Sequence, residues 1–427
     1  MSVSSAHGLD ERSKCRVFIV AEFVDGTQNS TGYYWSKIIR NLSERFDAIY
    51  VICPKASYKN IGNIPDSITY IPVKDIVFSK NNLISRLLGQ IAQSLHFAKA
   101  LVGNVQRKDV VFTGTNPALL LIFISILKAV KGFKWMLLVH DVFPENLIAA
   151  KIVGRQNPFY KLTKYVFDRV YSSADTLIAI GRDMHALLSR KTMQKNRIEY
   201  VPNWVDPDDV VPLPRDKSEL NGNHLPDGRI VFQFFGNLGR LQGVKNLLDA
   251  ISLVKNDKAS FVFIGSGSEG ALISNFINSH PAREVVLLAG VPFSRNNDVL
   301  SACDVAIVSL AGGMNGLGVP SKAYFSLAAD KPLLVVTDEG SELCQLVSEE
   351  KSAGWFCETG NPAKLASLID DICREKLAKV EGEPRAILIG KYGHENAIEK
   401  YSEFILELIE CGNQIGSKKC CAKDMMM

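Results

Sequence analysis

An α/β architecture of two doubly wound, Rossmann-like domains facing a cleft is what this sequence predicts. Two observations carry the prediction. Short β-branched runs alternate with amphipathic helical stretches, which implies parallel sheets covered on both faces. The alternation stops once, at a polar break, and then begins again. The length of 427 residues agrees, since it exceeds one ordinary core and suits two domains of about 200 residues. With 47% hydrophobic and 22% charged residues, the balance is that of a globular protein.

In chain order, CRVFIVAEF (Cys15 to Phe23) reads as the first strand. STGYYWSKIIRNLSERF reads as a helix, because Ile38, Ile39, Leu42 and Phe46 recur at helical spacing. AIYVICP, DVVFTG, FKWMLLVHD, ADTLIAIG and RIEYVPN are the further strands of a first domain over residues 1–205. The longest apolar run, ALLLIFISIL (Ala118 to Leu127), is half the roughly 20 residues a bilayer span needs. It reads as a buried helix. WVDPDDVVPLPRDKSELNGNHLPDGR (Trp204 to Arg229) is rich in Pro, Asp, Gly and Asn and reads as an interdomain linker. RIVFQFFGNLG, SFVFIGSG, EVVLLAGV, DVAIVSL and KPLLVVTD restart the rhythm in a second domain over residues 206–390. IGKYGHENAIEKYSEFILELIE supplies a long amphipathic helix, assigned to 391–411, and the polar tail 412–427 reads as disordered.

The net charge of +4 hides an asymmetry. Residues 1–205 hold 27 Lys and Arg against 15 Asp and Glu, whereas residues 206–427 hold 22 against 30. Such a split points to an anionic membrane surface as partner of the first half. Nucleic acid is not expected, because the basic residues are spread out and no recognition motif accompanies them. The nine cysteines show neither metal-ligand nor disulfide spacing, and several lie in apolar runs, which fits a reducing compartment. MSVSSAHGLDERSKC holds no apolar signal core. Together these predict a cytoplasmic protein, peripheral at the inner face of the membrane. KKCC (Lys418 to Cys421) offers lipidation only weakly, with no terminal CaaX box beside it.

Doubly wound folds bind ligands beyond the carboxyl ends of their strands. GSGSEG (Gly265 to Gly270) matches a dinucleotide fingerprint, but no acid closes the following strand to hold a ribose, so a dehydrogenase is excluded. DPDD (Asp206 to Asp209) has an Asp-x-Asp that suits a divalent metal. Its linker position, beside Pro207 and Pro212, favours a solvated acidic turn, and no metal site is assigned.

FGNLGRLQGVKNLLDAI is a stronger signal. A strand ends at Gly236, and a helix begins near Gly243 whose backbone N–H groups suit a phosphate. Asn237 and Gln242 add side-chain donors, and Arg240 and Lys245 add charge. GLGVPSKAYFSLAADKP (Gly316 to Pro332) supplies a second phosphate cradle. Gly316 and Gly318 allow close approach, and Ser321 and Lys322 fall in the first helical turn. A lysine there opposes the helix dipole unless an anion sits above it. TQNSTGYY (Thr27 to Tyr34) is placed to face the same anion across the cleft. VHDVFPEN puts His140, Asp141 and Glu145 just past a strand end, as general-base or sugar-contact candidates, with a hydrogen-bonded turn as the plain alternative.

These motifs agree in order. VHDVFPEN, ADTLIAIGRDM, YVPNWVD, FGNLGRLQG, FVFIGSGSEG and GLGVPSKAYFSLAADKPLLVV together give a chain that resembles the retaining GT-B glycosyltransferases of family four, especially the bacterial surface-polysaccharide branch. The resemblance runs from about residue 15 to residue 400. It implies a donor nucleotide on the second domain, an acceptor on the first, and a last helix that crosses back to the first. It further implies that Gly32 approaches the donor phosphates, that His140 and Asp141 contact the transferred sugar, and that backbone groups at Val291 meet the base. Asn237 and Gln242 stand where many members carry an Arg and a Lys. Leu317 and Phe325 stand where many carry a pair of glutamates. Neither can accept from a ribose hydroxyl, a loss worth about 1–3 kcal/mol.

The expected reaction moves a sugar from a nucleotide diphosphate sugar to a lipid-linked or oligosaccharide acceptor in cell-surface polysaccharide synthesis, with retention. The expected task is to stabilise a departing diphosphate and a cationic sugar. Catalytic contacts fall to His140, Asp141 and Glu145. Donor contacts fall to Gly32, Gly236, Asn237, Arg240, Gln242, Gly267, Val291, Gly318, Ser321 and Lys322. No cofactor beyond the donor substrate is required. The alternatives are a non-catalytic or weakly active partner in a polysaccharide assembly complex, and a nucleotide-sugar 2-epimerase.

Overall fold

The computed structural model describes residues 16–58, 64–76, 83–220, 228–377, 380 and 383–414. The amino-terminal segment and the Lys418 to Cys421 tail lie outside the described residues. Seven strands form the first sheet: β1 (Val17–Val20), β2 (Ile49–Pro54), β3 (Ile68–Val73), β4 (Val110–Gly114), β5 (Lys134–Val139), β6 (Thr176–Ala179) and β7 (Arg197–Tyr200). Their order is β3-β2-β1-β4-β5-β6-β7. Six more form the second sheet: β8 (Ile230–Phe235), β9 (Ala259–Ile264), β10 (Val285–Leu288), β11 (Val305–Ser309), β12 (Leu333–Thr337) and β13 (Gly354–Glu358). Their order is β10-β9-β8-β11-β12-β13. Every strand pairing is parallel.

Parallel strands covered by helices on both faces need side chains that are apolar both ways. The runs VVFTG and VAIVS are buried at every position. In each sheet the strand order reverses beside one central strand, between β1 and β4 and between β8 and β11. Strand ends at such a switch point open a crevice, and the two crevices face each other.

The run ALLLIFISIL does not form the buried helix its hydropathy suggests. The helix Leu120–Lys131 buries Leu120, Leu121 and Ile124 on one face, while Ile126 and Val130 are exposed. No helix among the described residues is long and apolar enough to cross a membrane.

The linker is tied to the first domain rather than loose. Lys37 Nζ lies 2.7 Å from Asp206 Oδ2 and 2.8 Å from Asp209 Oδ2. Tyr33 Oη donates to Asp209 Oδ2 at 2.8 Å and accepts from the Asp206 N–H at 3.0 Å. The acidic turn is thus a mount for the helix Ser30–Ser43. The carboxy-terminal helix His394–Gln414 packs on the first domain, with the Tyr401 ring 5.8 Å from that of Phe112.

Behind the cleft, Glu342 is 1% exposed and joins the domains. It accepts from the Arg182 backbone at 2.6 Å, from the Arg182 guanidinium at 3.1 Å and from Tyr200 Oη at 2.8 Å. Burial of a carboxylate is tolerated because each oxygen is bonded.

Candidate functional site between the two sheets

A pocket of about 180 Å3 lies where the two sets of strand ends meet. The first domain contributes Ser30, Thr31 and Tyr34 after β1, His140 and Asp141 after β5, and Ile180 and Asn203. The second contributes Leu241 and Gln242 after β8, and Gly318 and Ser321 after β11. A larger cavity of about 530 Å3 lies between β7 and the carboxy-terminal helix, and none of the sequence-predicted site residues lines it.

The His140–Asp141 turn is held from both sides. Thr115 Oγ1 accepts from the backbone N–H of His140 and of Asp141, each at 3.3 Å. Asp141 then forms an antiparallel bridge with Gly318 of the other domain, and the Val142 N–H donates to the Leu317 carbonyl at 2.9 Å. Gly318 is required here by proximity: a Cβ would stand 3.1 Å from Asp141 Oδ1. Asn203 Nδ2 donates to the Val319 carbonyl at 3.0 Å and fixes the same loop. The Gly316 N–H donates to Asp183 Oδ2 at 2.8 Å.

Burial sets the charge states. It lowers the His140 imidazole to about 4 and raises the Asp141 carboxyl to about 6. At neutral pH the histidine is therefore neutral, able to donate and accept, and the aspartate is mostly ionised.

Lys322 begins the helix Lys322–Ala328, but its side chain turns behind the pocket wall. Its ammonium sits 3.4 Å from the centre of the Phe234 ring and 3.1 Å from Gln242 Oε1. Among the described residues no carboxylate lies within ion-pair distance of it. Burial pushes its pKa well below the usual lysine range, which is what an uncompensated cation in an apolar wall must show. Gln242 accepts from Lys322 through its oxygen and keeps its amide N–H groups free to donate. Ser321 makes no capping bond with its side chain. Donors with a buried cation behind them are suited to an anion.

Other predicted residues lie elsewhere. Glu145 is not in the pocket: its carboxylate faces Lys191 at 2.8 Å and Lys164 at 3.2 Å, and Asp168 completes the cluster at 2.6 Å from Lys191. That is a structural ion-pair network. Gly32 does not offer a free amide either, because its N–H donates to the capping Asn29 Oδ1 at 2.9 Å. A Cβ at Gly32 would stand 2.2 Å from the Asp25 carbonyl, so the glycine serves close packing. Gly236, Asn237, Arg240, Gly267 and Val291 sit in the loops after β8, β9 and β10 and do not line the pocket. Gly267 packs on the Leu238 backbone, where a Cβ would meet the carbonyl oxygen at 2.3 Å. Lys245 is paired with Asp249 at 2.7 Å. The sequence reading missed Asn203, whose signal was its place inside YVPNWVD, and Asp183, whose link to Gly316 has no local signature. Among the described residues there is no group of three or more His, Cys, Asp or Glu that would hold a metal.

The slot expected to hold a ribose-binding glutamate has another use. The Phe325 ring lies 5.2 Å from Tyr33 and 5.6 Å from Phe293, both in edge contact. Tyr34 lies 5.0 Å from Trp204. These rings form an apolar seam between the domains, one helical turn from Ser321.

Two parallel doubly wound sheets with facing switch points define the GT-B fold. The solved structures that resemble the chain have this fold. Sucrose-phosphate synthase from Thermosynechococcus elongatus matches with a TM-score of 0.74 at 13% identity, covering 93% of this chain and all of that one. Anabaena HepE, in complex with UDP and glucose, matches with a TM-score of 0.65 at 14% identity, covering 92% and 99%. Models of two families match the two domains: Glycosyltransferase Family 4 over residues 31–209 and Glycosyl transferases group 1 over residues 229–375. The probable glycosyltransferase WbjE of Pseudomonas aeruginosa is 42% identical over 394 residues, covering 92% of this chain and 98% of WbjE. The putative colanic acid biosynthesis glycosyl transferase WcaI of Escherichia coli (strain K12) is 23% identical over about half of each chain, 55% and 54%. The chain belongs to glycosyltransferase family 4.

Proposed function

We propose that this transferase moves a sugar from a nucleotide diphosphate sugar to a lipid-linked or oligosaccharide acceptor in surface-polysaccharide synthesis, with retention of configuration. The observation that carries the reading is the placement of Lys322. A half-buried ammonium without a carboxylate partner among the described residues touches Gln242, which lines the pocket together with Ser321, His140 and Asp141. Gln242 and Ser321 bind the diphosphate, and Lys322 supplies through Gln242 the charge that many family members carry at the Gln242 position itself. Asp141, ionised and desolvated, faces the positive charge that develops on the sugar. His140 orients a sugar or acceptor hydroxyl. Gly236, Asn237, Arg240, Gly267 and Val291 hold the nucleotide further along the β8–β10 loops. One relative named for colanic acid biosynthesis supports a place in surface-polysaccharide synthesis. The basic first half supports work at the inner membrane face.

The test is calorimetry with UDP, GDP and dTDP, followed by a donor screen scored by sugar transfer and by the anomer formed. Binding of one nucleotide, weakened in Lys322→Ala, is the expected result. One observation favours a second reading, a non-catalytic or weakly active partner in an assembly complex: Phe325 fills the ribose slot. Failure of all three nucleotides to bind would select it.

A further inference from the structure

The first domain has a face whose chemistry the pocket does not use. Between residues 76 and 174 the sequence holds 13 Lys and Arg and only four acids. The structure withdraws all four acids from the surface. Asp109 is paired with Arg16 at 2.7 Å, Asp141 lines the pocket, and Glu145 and Asp168 are held by Lys191 and Lys164. Three helices of this stretch lie side by side. Lys128 and Ser125 of Leu120–Lys131 bond Ser173 of the helix Pro158–Ser173. Lys131 Nζ bonds the Val102 and Val105 carbonyls at the end of Leu83–Asn104.

Each helix turns large apolar side chains to solvent. Phe159 and Leu162 are each 63% exposed, and Tyr165 continues their line at helical spacing. Ile152 precedes them in the adjoining loop, and Ile126, Val130, Leu95 and Val102 are exposed on the neighbouring helices. Lys151, Arg155, Lys161 and Arg169 are exposed among the first group, with the Arg169 guanidinium 4.2 Å above the Tyr165 ring. From Lys151 to Ser172 no exposed residue is acidic. Apolar side chains interleaved with cations on one helical face are what binds an anionic bilayer surface. A second copy of this chain is disfavoured at such a face, because it would set like charge against like.

We propose that the face built by Pro158–Ser173, Leu120–Lys131 and Leu83–Asn104 docks on an anionic lipid bilayer, with Phe159, Leu162 and Tyr165 entering the headgroup layer. This deepens the proposed function and rests on its reading of a lipid-linked acceptor. The docked helix is coupled to the site, since Tyr171 Oη donates to the Asp141 carbonyl at 3.3 Å.

The test uses the full chain with sedimented vesicles of phosphatidylcholine alone and of phosphatidylcholine with phosphatidylglycerol. Wild type is expected to bind the anionic vesicles, and weakly or not at all the neutral ones. Phe159→Ser/Leu162→Ser/Tyr165→Ser should lower that partitioning about tenfold or more, and Arg155→Glu/Lys161→Glu about fivefold per charge at low salt. Nucleotide affinity should stay unchanged in both variants, which shows that they fold. Absence of wild-type binding to anionic vesicles, or equal binding by both variants, would overturn the assignment. So would a wild-type dimer, dissolved by the same substitutions, that leaves vesicles unbound. Vesicle binding by a chain that binds no nucleotide would leave this surface standing and remove the transferase reading instead.

Discussion

The segment Gly316 to Pro332 meets the first domain twice, and the two contacts are built on opposite principles. At its start, Gly318 and Ser321 bring polar groups and a backbone bridge to Asp141. One turn later, Phe325 brings an apolar ring to Tyr33 and Phe293. The first contact holds a buried cation with nothing to neutralise it. The second is a contact of ring against ring. The difference teaches that one short segment can make a polar contact and an apolar contact to the same domain within a single helical turn. Phe325 contributes apolar area that holds the domains together, while Lys322 lies beside Gln242 at the pocket.

Four substitutions sharpen or break that contrast. Phe325→Ala has the largest expected effect, about 3–5 kcal/mol of stability from the lost ring and its cavity, read by denaturant unfolding. A loss under 1 kcal/mol would remove the seam from the argument. Asp141→Asn should lower turnover about 100-fold, the scale of one transition-state electrostatic contact, with nucleotide affinity unchanged. The pH profile gives an independent reading. Asp141 titrates near 6 in the folded chain, and only its ionised form faces a cation favourably. Turnover should therefore fall as pH drops through about 6, and Asp141→Asn should flatten that limb. A profile with the same limb in the variant would assign it to another group.

Lys322→Ala should weaken nucleotide diphosphate binding about 10- to 100-fold, or about 1.5–3 kcal/mol for a charge-assisted contact. It should leave stability level or higher, because an amine with no carboxylate partner is removed from an apolar wall. Burial depresses the pKa of Lys322, so an arriving anion favours its protonated form. Donor binding should then take up protons, measured as a calorimetric enthalpy that varies with the buffer. Gly318→Ala is the smallest, about 1 kcal/mol of stability from a Cβ that crowds Asp141, seen as a lowered melting temperature.

The sequence made most of the fold readable because both sheets are parallel. Central strands such as VVFTG and VAIVS are almost wholly apolar and buried at every position, and they stand out from their helices. The two strands it did not reveal, β3 and β13, both lie at sheet edges, although the edge strands β7 and β10 were read. In β3, ITYIPV buries only its two ends and contains Pro72, and β13 opens on Gly354 and half-exposes Trp355 and Phe356. An edge strand has one neighbour and thinner cover, so its residues need not be continuously apolar. The site was legible where a motif sits at a strand end, as with His140, Asp141 and Ser321. It was misread where a side chain's use depends on a distant partner. Glu145 looks catalytic beside His140 until Lys191, 46 residues on, is folded against it. Lys322 looks like a pocket residue until Phe234 and Gln242 draw it behind the wall. ALLLIFISIL looked buried because hydropathy does not say which face of a helix finds a neighbour.

The Asp141–Gly318 bridge has a consequence in time. One of the residues that join the two domains also lines the pocket together with Gln242 and Ser321. Any rotation that parts the sheets breaks that bridge and carries Asp141 away in the same movement. Under the proposed function, admission and reaction would then belong to different conformations, and a half-admitted donor would meet an incomplete set of groups. Protection against wasteful hydrolysis would then come from the order of events, without a separate lid.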